Sequence, residues 1–481
     1  MSAPKTMKER ALIFIGSEQK GLLISFAKLL ESRYGYEVCI IARDKYVKNL
    51  VDKLLPNREG DIVLSDIKFN VDNVDILHES LYIEKKYNIN LSMIASDDRA
   101  IGQGYLHNVD KIPDIIRSSW SHKKKLKEII RTIKIKESII DRCDIVIQLT
   151  PDKIVSMIGR SIGSKVFSPQ IIKFGDRVFW SDNDFSTSSK YIERLVNNLD
   201  CKIDDYNIIY KIESSGDRIN SSESYTYISS TMQAAKIFIN DTKNYLRGIH
   251  KKNSYHYLGW VPSLYRKVSN YRYVHNISYN FEDLKGLKVI FFPLHLEPEV
   301  ALLNLSPEFT NSMELISLVS KSIPSDTMLV VKEQSQSFGV RSRWYYEHIN
   351  KIGNVVWADP TIHSWKWIER SSVVATITGT VGVEAVNFNK PVVSFGKHQI
   401  INHLPTVYYV TNYKETSKVF NLLLSHPVDR TELNISRSSL SKAQYESSID
   451  LPEYKDLYGS VKLEDSVAMK ALKFLSDEYL N

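Results

Sequence analysis

Apolar positions along this chain fall into short unbroken runs separated by helical patterns. The most regular stretch spans residues 287–424. There "LKVIFFPL", "TMLVVKE", "NVVWAD", "SVVATIT", "PVVSFG" and "TVYYVT" are runs rich in Val, Ile and Phe. None alternates polar with apolar, so each predicts a strand buried on both faces. Helical patterns over 312–322, 341–352, 362–370, 381–388 and 414–424 lie between them. Strands of that kind joined by helices predict a parallel, doubly wound α/β sheet.

Residues 1–245 repeat the same grammar less regularly. "ALIFIG", "YEVCIIA", "DIVLSD", "INLSMIAS" and "CDIVIQLT" predict strands, with helices over 21–32, over 45–55 and after Thr150. This predicts a second Rossmann-like domain. Residues 214–224, "SSGDRINSSES", form a polar, turn-rich loop. Residues 246–286 are assigned to a linker, 287–435 to the second domain, and 436–481 to a helical tail that packs back on the first domain.

A chain of 481 residues suits two cores rather than one. Its net charge of +7 is mild at this length and fits anionic small molecules or an anionic surface. The basic residues are dispersed and no known module appears, so nucleic acid is not expected as a partner. The three cysteines, Cys39, Cys143 and Cys201, form no CxxC pair. Cys39 and Cys143 lie in or beside apolar runs and read as core thiols, and the set as a whole suits a reducing cytosol. The apolar run 11–15 is too short for a signal peptide, and no window approaches a membrane span. Any membrane contact is therefore expected to be peripheral.

Polar groups follow each of the first five strands of the second domain. His295, Glu297 and Glu299 follow the first, with Pro293 and Pro298 stiffening the loop. Lys332, Glu333 and Gln334 follow the second, and Asp359 the third. Thr378, Gly379, Thr380 and then Glu384 follow the fourth, and Gly396, Lys397 and His398 the fifth. Ligands of parallel α/β sheets sit beyond these carboxyl ends. A Thr-Gly-Thr turn at a helix start offers backbone N–H groups, hydroxyls and the positive end of the helix dipole to a phosphate. Glu384, one turn further in, is placed to accept hydrogen bonds from ribose-like hydroxyls. The structural alternative makes Thr378 or Thr380 a helix cap and Glu384 its capping-box partner. Arg341 and Arg343 at a helix start offer either a phosphate contact or a solvated terminus, and His363 and His398 read as structural.

"FFPLHLEPE", "LVVKE", an Arg-rich helix start and "TITGTVGVEAVNFNKPVVSFG", in that order and spacing, resemble the capsule-polysaccharide biosynthesis glycosyltransferases. That family includes the retaining β-Kdo transferases. The resemblance covers residues 287–396 and is architectural elsewhere. It implies a GT-B fold, two Rossmann-like domains facing a cleft, with a nucleotide-sugar donor held mainly by the second. It also implies bacterial capsule or lipopolysaccharide O-antigen assembly on a glycan or lipid-linked acceptor, at the cytoplasmic face of the inner membrane. The donor is then a substrate, with no separate cofactor and no metal expected. Where the family reads Lys-Glu-His-Pro, associated with CMP-sugar binding, this chain has Lys332, Glu333, Gln334 and Ser335. A CMP-sugar such as CMP-Kdo is one donor among several.

Glycosyl transfer needs a carboxylate as base or nucleophile. Asp97 and Asp98 in "SMIASDDRAIGQGY" are the leading candidates, with Glu299 from the second domain. Asp176, Asp182 and Asp217 compete with them. "IFIGSEQKG", with Gly16 and Gly21, is a first-strand glycine turn assigned to the acceptor side. The basic helix over 121–136 presents either a solvated face or a contact for anionic lipid or glycan. Two other functions share the architecture: a nucleotide-sugar 2-epimerase, and a non-catalytic glycan- or nucleotide-binding protein of an assembly complex.

Overall fold

The computed structural model describes residues 8–16, 18–72, 74–97, 120–172, 176–200, 226–246, 261–297, 299–306, 308–335 and 337–480. Two sheets organise them. The first contains β1 (Arg10–Ile15), β2 (Glu37–Ala42), β3 (Ile62–Val63), β4 (Ile145–Ile147), β5 (Lys165–Ile171), β6 (Arg177–Ser181) and, from the tail, β13 (Ile449–Asp450). Its order is β13-β6-β5-β4-β1-β2-β3, parallel except that β6 runs against both of its neighbours. The second contains β7 (Lys288–Pro293), β8 (Thr327–Lys332), β9 (Val355–Trp357), β10 (Val373–Thr376), β11 (Val392–Ser394) and β12 (Val407–Tyr409). All six are parallel, in the order β12-β11-β10-β7-β8-β9.

Both sheets carry core on both faces, as unbroken apolar runs require. Along β1, Ala11, Ile13 and Ile15 enter one cluster and Leu12 another. Along β7, Ile290 and Phe292 face one cluster, Val289 and Phe291 the other. The tail completes the first domain. Its helix Asp465–Leu475 lies on the helix Lys20–Tyr34 and buries Val467, Ala468, Ala471 and Leu472 in the same cluster as Trp180. The Trp180 Nε1–H donates to the Ala471 carbonyl at 2.8 Å. Two Rossmann-like units with the last helix returning to the first form the GT-B architecture.

Two expectations change, and one element was not expected. "INLSMIAS" is not a strand but the helix Leu91–Asp97. Its buried residues Leu91, Ile94 and Ala95 follow helical spacing, and a run this short fits either period. "DIVLSD" gives only the two residues of β3 before a 3₁₀ turn. The β5–β6 hairpin had no sequence expectation, because Pro169 interrupts its apolar run. The proline is tolerated there because β4 pairs only as far as Phe167, so that position 169 has a strand partner on the β6 side alone. Among the described residues no helix is long and apolar enough to cross a membrane.

Candidate functional site

The strand order places β7 beside β10, with successive connections leaving in opposite directions from that pair. This is the switch point where an open parallel sheet leaves a crevice at its carboxyl end. The loops after these two strands meet there. The Thr378 N–H donates to His295 Nε2 at 3.2 Å, so that nitrogen carries a lone pair. The remaining ring proton of a neutral His295 then sits on Nδ1, which lies 3.7 Å from Glu299 Oε2. His295 is buried and the Glu299 side chain is 41% exposed, so the pair runs from the core to the surface. A Cβ at Gly379 would press on the His295 ring at 3.1 Å, and the glycine lets turn and ring approach.

The turn is built differently from either sequence expectation. Gly379 itself caps the helix Thr380–Asn387, with no side-chain cap. Glu384 lies too deep in the helix to serve as a capping-box partner. Two N–H groups of the turn are used internally, Thr378 on His295 and Gly379 on Thr376 Oγ1 at 3.2 Å. Thr380 stands exposed at the first helical position, while Glu384 is buried at 9% exposure. A phosphate here would meet the helix start and the Thr380 hydroxyl rather than the whole turn.

Beneath His295 lies an ionic network that fixes the loop after β7. Arg341 Nη1 donates to both oxygens of Glu333 at 2.8 and 3.0 Å, and Nη2 donates to the His295 carbonyl at 2.8 Å. Glu297 Oε1 lies 3.4 Å from the same guanidinium and accepts the Ser312 N–H at 2.9 Å. Tyr346 and the Gln334 N–H complete the shell of Glu333. Burial opposes the Arg341 charge, yet Glu333, Tyr345 and Glu297 raise its pKa well above the usual value. Burial pushes the Glu333 carboxyl up, and Arg341 opposes that. Arg341 and Glu297 thus hold the site from behind. Arg343 lies over the Tyr273 ring at 3.3 Å and pairs with Glu347.

Lys332, half-buried at the end of β8, directs its ammonium at the carbonyls of Asp359 and Pro360, 3.5 and 3.3 Å away. Burial pulls its pKa down to about 8. The Gln334 side chain, two residues further on, is exposed. After β11, Gln399 is a residue the sequence did not single out. Its Nε2 donates to the Ile377 carbonyl at 2.5 Å and to Ser394 Oγ at 2.8 Å, tying the ends of β10 and β11 together. Gly396 is required in that corner, since a Cβ would fall 2.2 Å from the Ile377 carbonyl oxygen. His363 caps the helix Ser364–Arg370, and His398 stacks on Phe185 of the first domain at 3.7 Å.

On the first-domain side, Asp98 and Asp217 lie outside the described residues. Asp97 ends the helix Leu91–Asp97 rather than a strand, and that helix packs against Val300–Leu305, which begins one residue after Glu299. The backbones of these two helices therefore meet across the domain boundary. Asp182 is occupied: it accepts the Ser189 N–H at 3.1 Å. The glycine turn after β1 is covered. The Gly21 N–H donates to the Ser460 carbonyl, and a Cβ at Gly21 would fall 1.7 Å from the Lys462 oxygen, so this glycine admits the tail. In the basic helix, now His122–Ile139, Lys125 is buried and Lys127 pairs with Asp72. Among the described residues no cluster of His, Cys, Asp or Glu is arranged to hold a metal ion. Cys39 and Cys143 are buried free thiols.

No protein-family model matches the sequence, and no curated protein does. Among solved structures, the β-Kdo 2,7 transferase KpsC from Thermosulfurimonas dismutans shares 11% identity over 68% of this chain and 85% of its own, with a TM-score of 0.35. A UDP-GlcNAc 2-epimerase from Neisseria meningitidis bound to UDP-GlcNAc shares 13% over 98% of this chain and 100% of its own, at 0.26. A glycosyltransferase from Rickettsia africae shares 12% over 98% of each chain, at 0.28.

Proposed function

We propose that the protein is a GT-B glycosyltransferase that draws a sugar from a nucleotide-sugar donor and passes it to a bacterial surface-polysaccharide acceptor. The observation that carries this reading is the junction at the switch point, where the loops after β7 and β10 meet through His295 and Thr378. Around it stand an exposed helix start at Thr380, the buried carboxylate of Glu384 and the lysine at position 332. In this reading the helix start, Thr380 and the Lys332 ammonium take the donor phosphate, Glu384 takes ribose hydroxyls, and Gln334 lies beside the base. The bond from the sugar to the phosphate breaks, and the leaving oxygen gains negative charge facing those donors. Asp97, Asp98 or Glu299 supplies the carboxylate that removes the acceptor proton or attacks the sugar carbon. Kdo or a related acidic sugar is the class the family resemblance suggests. Gln334 and Ser335 stand where the family has His-Pro, so the donor is not confined to CMP-sugars.

A second reading, a nucleotide-sugar 2-epimerase, is favoured by the His295–Glu299 pair, since that chemistry needs a histidine and carboxylates about the sugar ring. One experiment addresses both. Thermal shift with CMP, CDP, UDP, GDP and their sugars should single out one nucleotide, with a stabilisation of about 2.7 kcal/mol at 100 times its dissociation constant. A Thr380→Ala, Glu384→Ala double variant that stays folded should lose that response. Incubating the responding sugar nucleotide with a glycan acceptor then separates transfer from epimerisation at C2. If no nucleotide shifts the midpoint at saturation, both enzyme readings fail and a glycan-binding scaffold takes their place.

A further inference from the structure

The helix Tyr227–Leu246 has two apolar faces, and only one is covered. On the covered side Ser230 is buried, with Oγ donating to the Leu264 carbonyl at 3.2 Å, and Ala234 and Ile237 are half-buried. This side lies on the helix Val261–Ile277, which Asn270 ties to the Phe338 and Arg341 carbonyls of the second domain. On the opposite side Ile228, Met232, Ile239 and Leu246 are 77%, 62%, 68% and 79% exposed, and Phe238 flanks them. Among the described residues nothing covers this side. A shallow trough of about 460 Å³ runs along it between Phe238 and Leu246. A helix that is apolar on both faces belongs between two surfaces.

Spacing identifies the missing surface. Ile228, Met232, Ala235, Ile239, Thr242 and Leu246 are separated by four, three, four, three and four residues. Alternating steps of this kind average 3.5 residues and make a narrow seam about 27 Å long, which fits the knobs and holes of another helix. A helix lying in a lipid surface presents a broader apolar sector and a strongly basic rim. Here the described rim holds only Lys236 and Lys243.

We propose that this face pairs with the same face of a second copy of the chain, helix parallel to helix. The flanks decide the direction. Lys236 and Lys243 line one flank of the seam, and Thr231 and Phe238 the other. Antiparallel pairing would set lysines against lysines. Parallel pairing sets Lys236 against the partner's Thr231 and Lys243 against the partner's Phe238, where an ammonium over a ring is favourable. A single helix pair buries less than a standard interface, so the dimer should be of micromolar strength. This proposal is independent of the reading of the nucleotide site.

Sedimentation equilibrium of the full chain, from about 1 to about 100 micromolar, should show a monomer–dimer equilibrium. Met232→Glu, Ile239→Glu places charges in the seam and should weaken the dimer about 100-fold or more. Both positions are exposed in the monomer, so its circular dichroism and melting midpoint should match the wild type. Ile239→Cys, with Cys201→Ser, should form an intermolecular disulfide on oxidation, because parallel pairing sets position 239 against itself. A monomer at every concentration overturns the proposal, and so does a dimer indifferent to the glutamates. Failure of the cysteine to cross-link overturns the parallel arrangement. If the monomeric wild type floats with phosphatidylglycerol vesicles and the glutamate variant does not, lipid covers this face instead. A monomer that ignores vesicles leaves residues 201–225 or 247–260 of the same chain as the cover, which also overturns it.

Discussion

Lys332 is the residue at the candidate site whose charge state is poised near neutrality. Burial lowers its pKa to about 8, against the opposite pull of Asp359 and Glu333. The folded value lies below that of a free lysine, near 10.4. Protonated Lys332 therefore costs the folded state stability below pH about 8, and this cost disappears as pH rises towards the free value. A phosphate beside the ammonium reverses the preference. Nucleotide affinity measured by calorimetry should be level below pH about 7.5 and fall up to tenfold per unit above pH about 8. Lys332→Arg should flatten the profile and keep affinity, whereas Lys332→Met should flatten it and lose affinity. A Met variant that binds as the wild type does would remove Lys332 from the site. Arg341 makes a contrasting prediction. Arg341→Met leaves Glu333 and Glu297 without their shared cation, which should cost about 3–5 kcal/mol in urea unfolding. The sequence placed His295, Glu297, Glu333 and Arg341 at strand ends and a helix start. It could not sort supports from ligand contacts, because that depends on which carboxylate Arg341 reaches.

Among the elements, the contact between the tail and the first helix gives the sharpest test. Gly21→Ala adds a Cβ where the Lys462 carbonyl already stands, and backbone there cannot rotate aside. The tail must shift, and overpacking of this kind typically costs about 1–3 kcal/mol. Urea unfolding should show that loss, and limited proteolysis should cut first near residue 462. Gly353→Ala is the control, since nothing lies within 4 Å of a Cβ there. Element legibility followed the same physical divide. All six strands of the second sheet were readable, because strands buried on both faces leave an unbroken apolar record. The helix Leu91–Asp97 was not, because Leu91, Met93 and Ala95 alternate like a strand while Leu91, Ile94 and Ala95 pack like a helix. That misreading put Asp97 after a strand, where the structure has the end of a helix. The β5–β6 hairpin was hidden by Pro169, and the closure of the sheet by β13 rests on residues distant in sequence.

At the scale of the whole molecule the domains are not separate bodies. One cluster holds Val289, Phe291, Val374 and Trp367 of the second domain together with Ile172, Phe179, Tyr191 and Leu195 of the first. Leu440 and Ala443 of the helix Arg430–Glu446 join it, and that helix packs along Ser189–Asn197. The apolar pattern gives no hint of this, since a run records that a residue is buried but not against which domain. Because apolar contact is shared, unfolding one sheet strips cover from the core of the other. Calorimetry should therefore show a single unfolding transition whose calorimetric and van't Hoff enthalpies agree. Leu195 is fully buried at this junction, and Leu195→Ala should cost about 2–5 kcal/mol. It should also loosen the coupling, so that the transition broadens or divides. Leu12→Ala, equally buried but inside the first domain, is the comparison: it should lower the midpoint while leaving one sharp transition. Two transitions in the wild type would mean that the shared cluster does not couple the domains. The contact between Leu91–Asp97 and Val300–Leu305 would then have no rigid frame, and carboxylates from the two domains would meet a substrate only after closure.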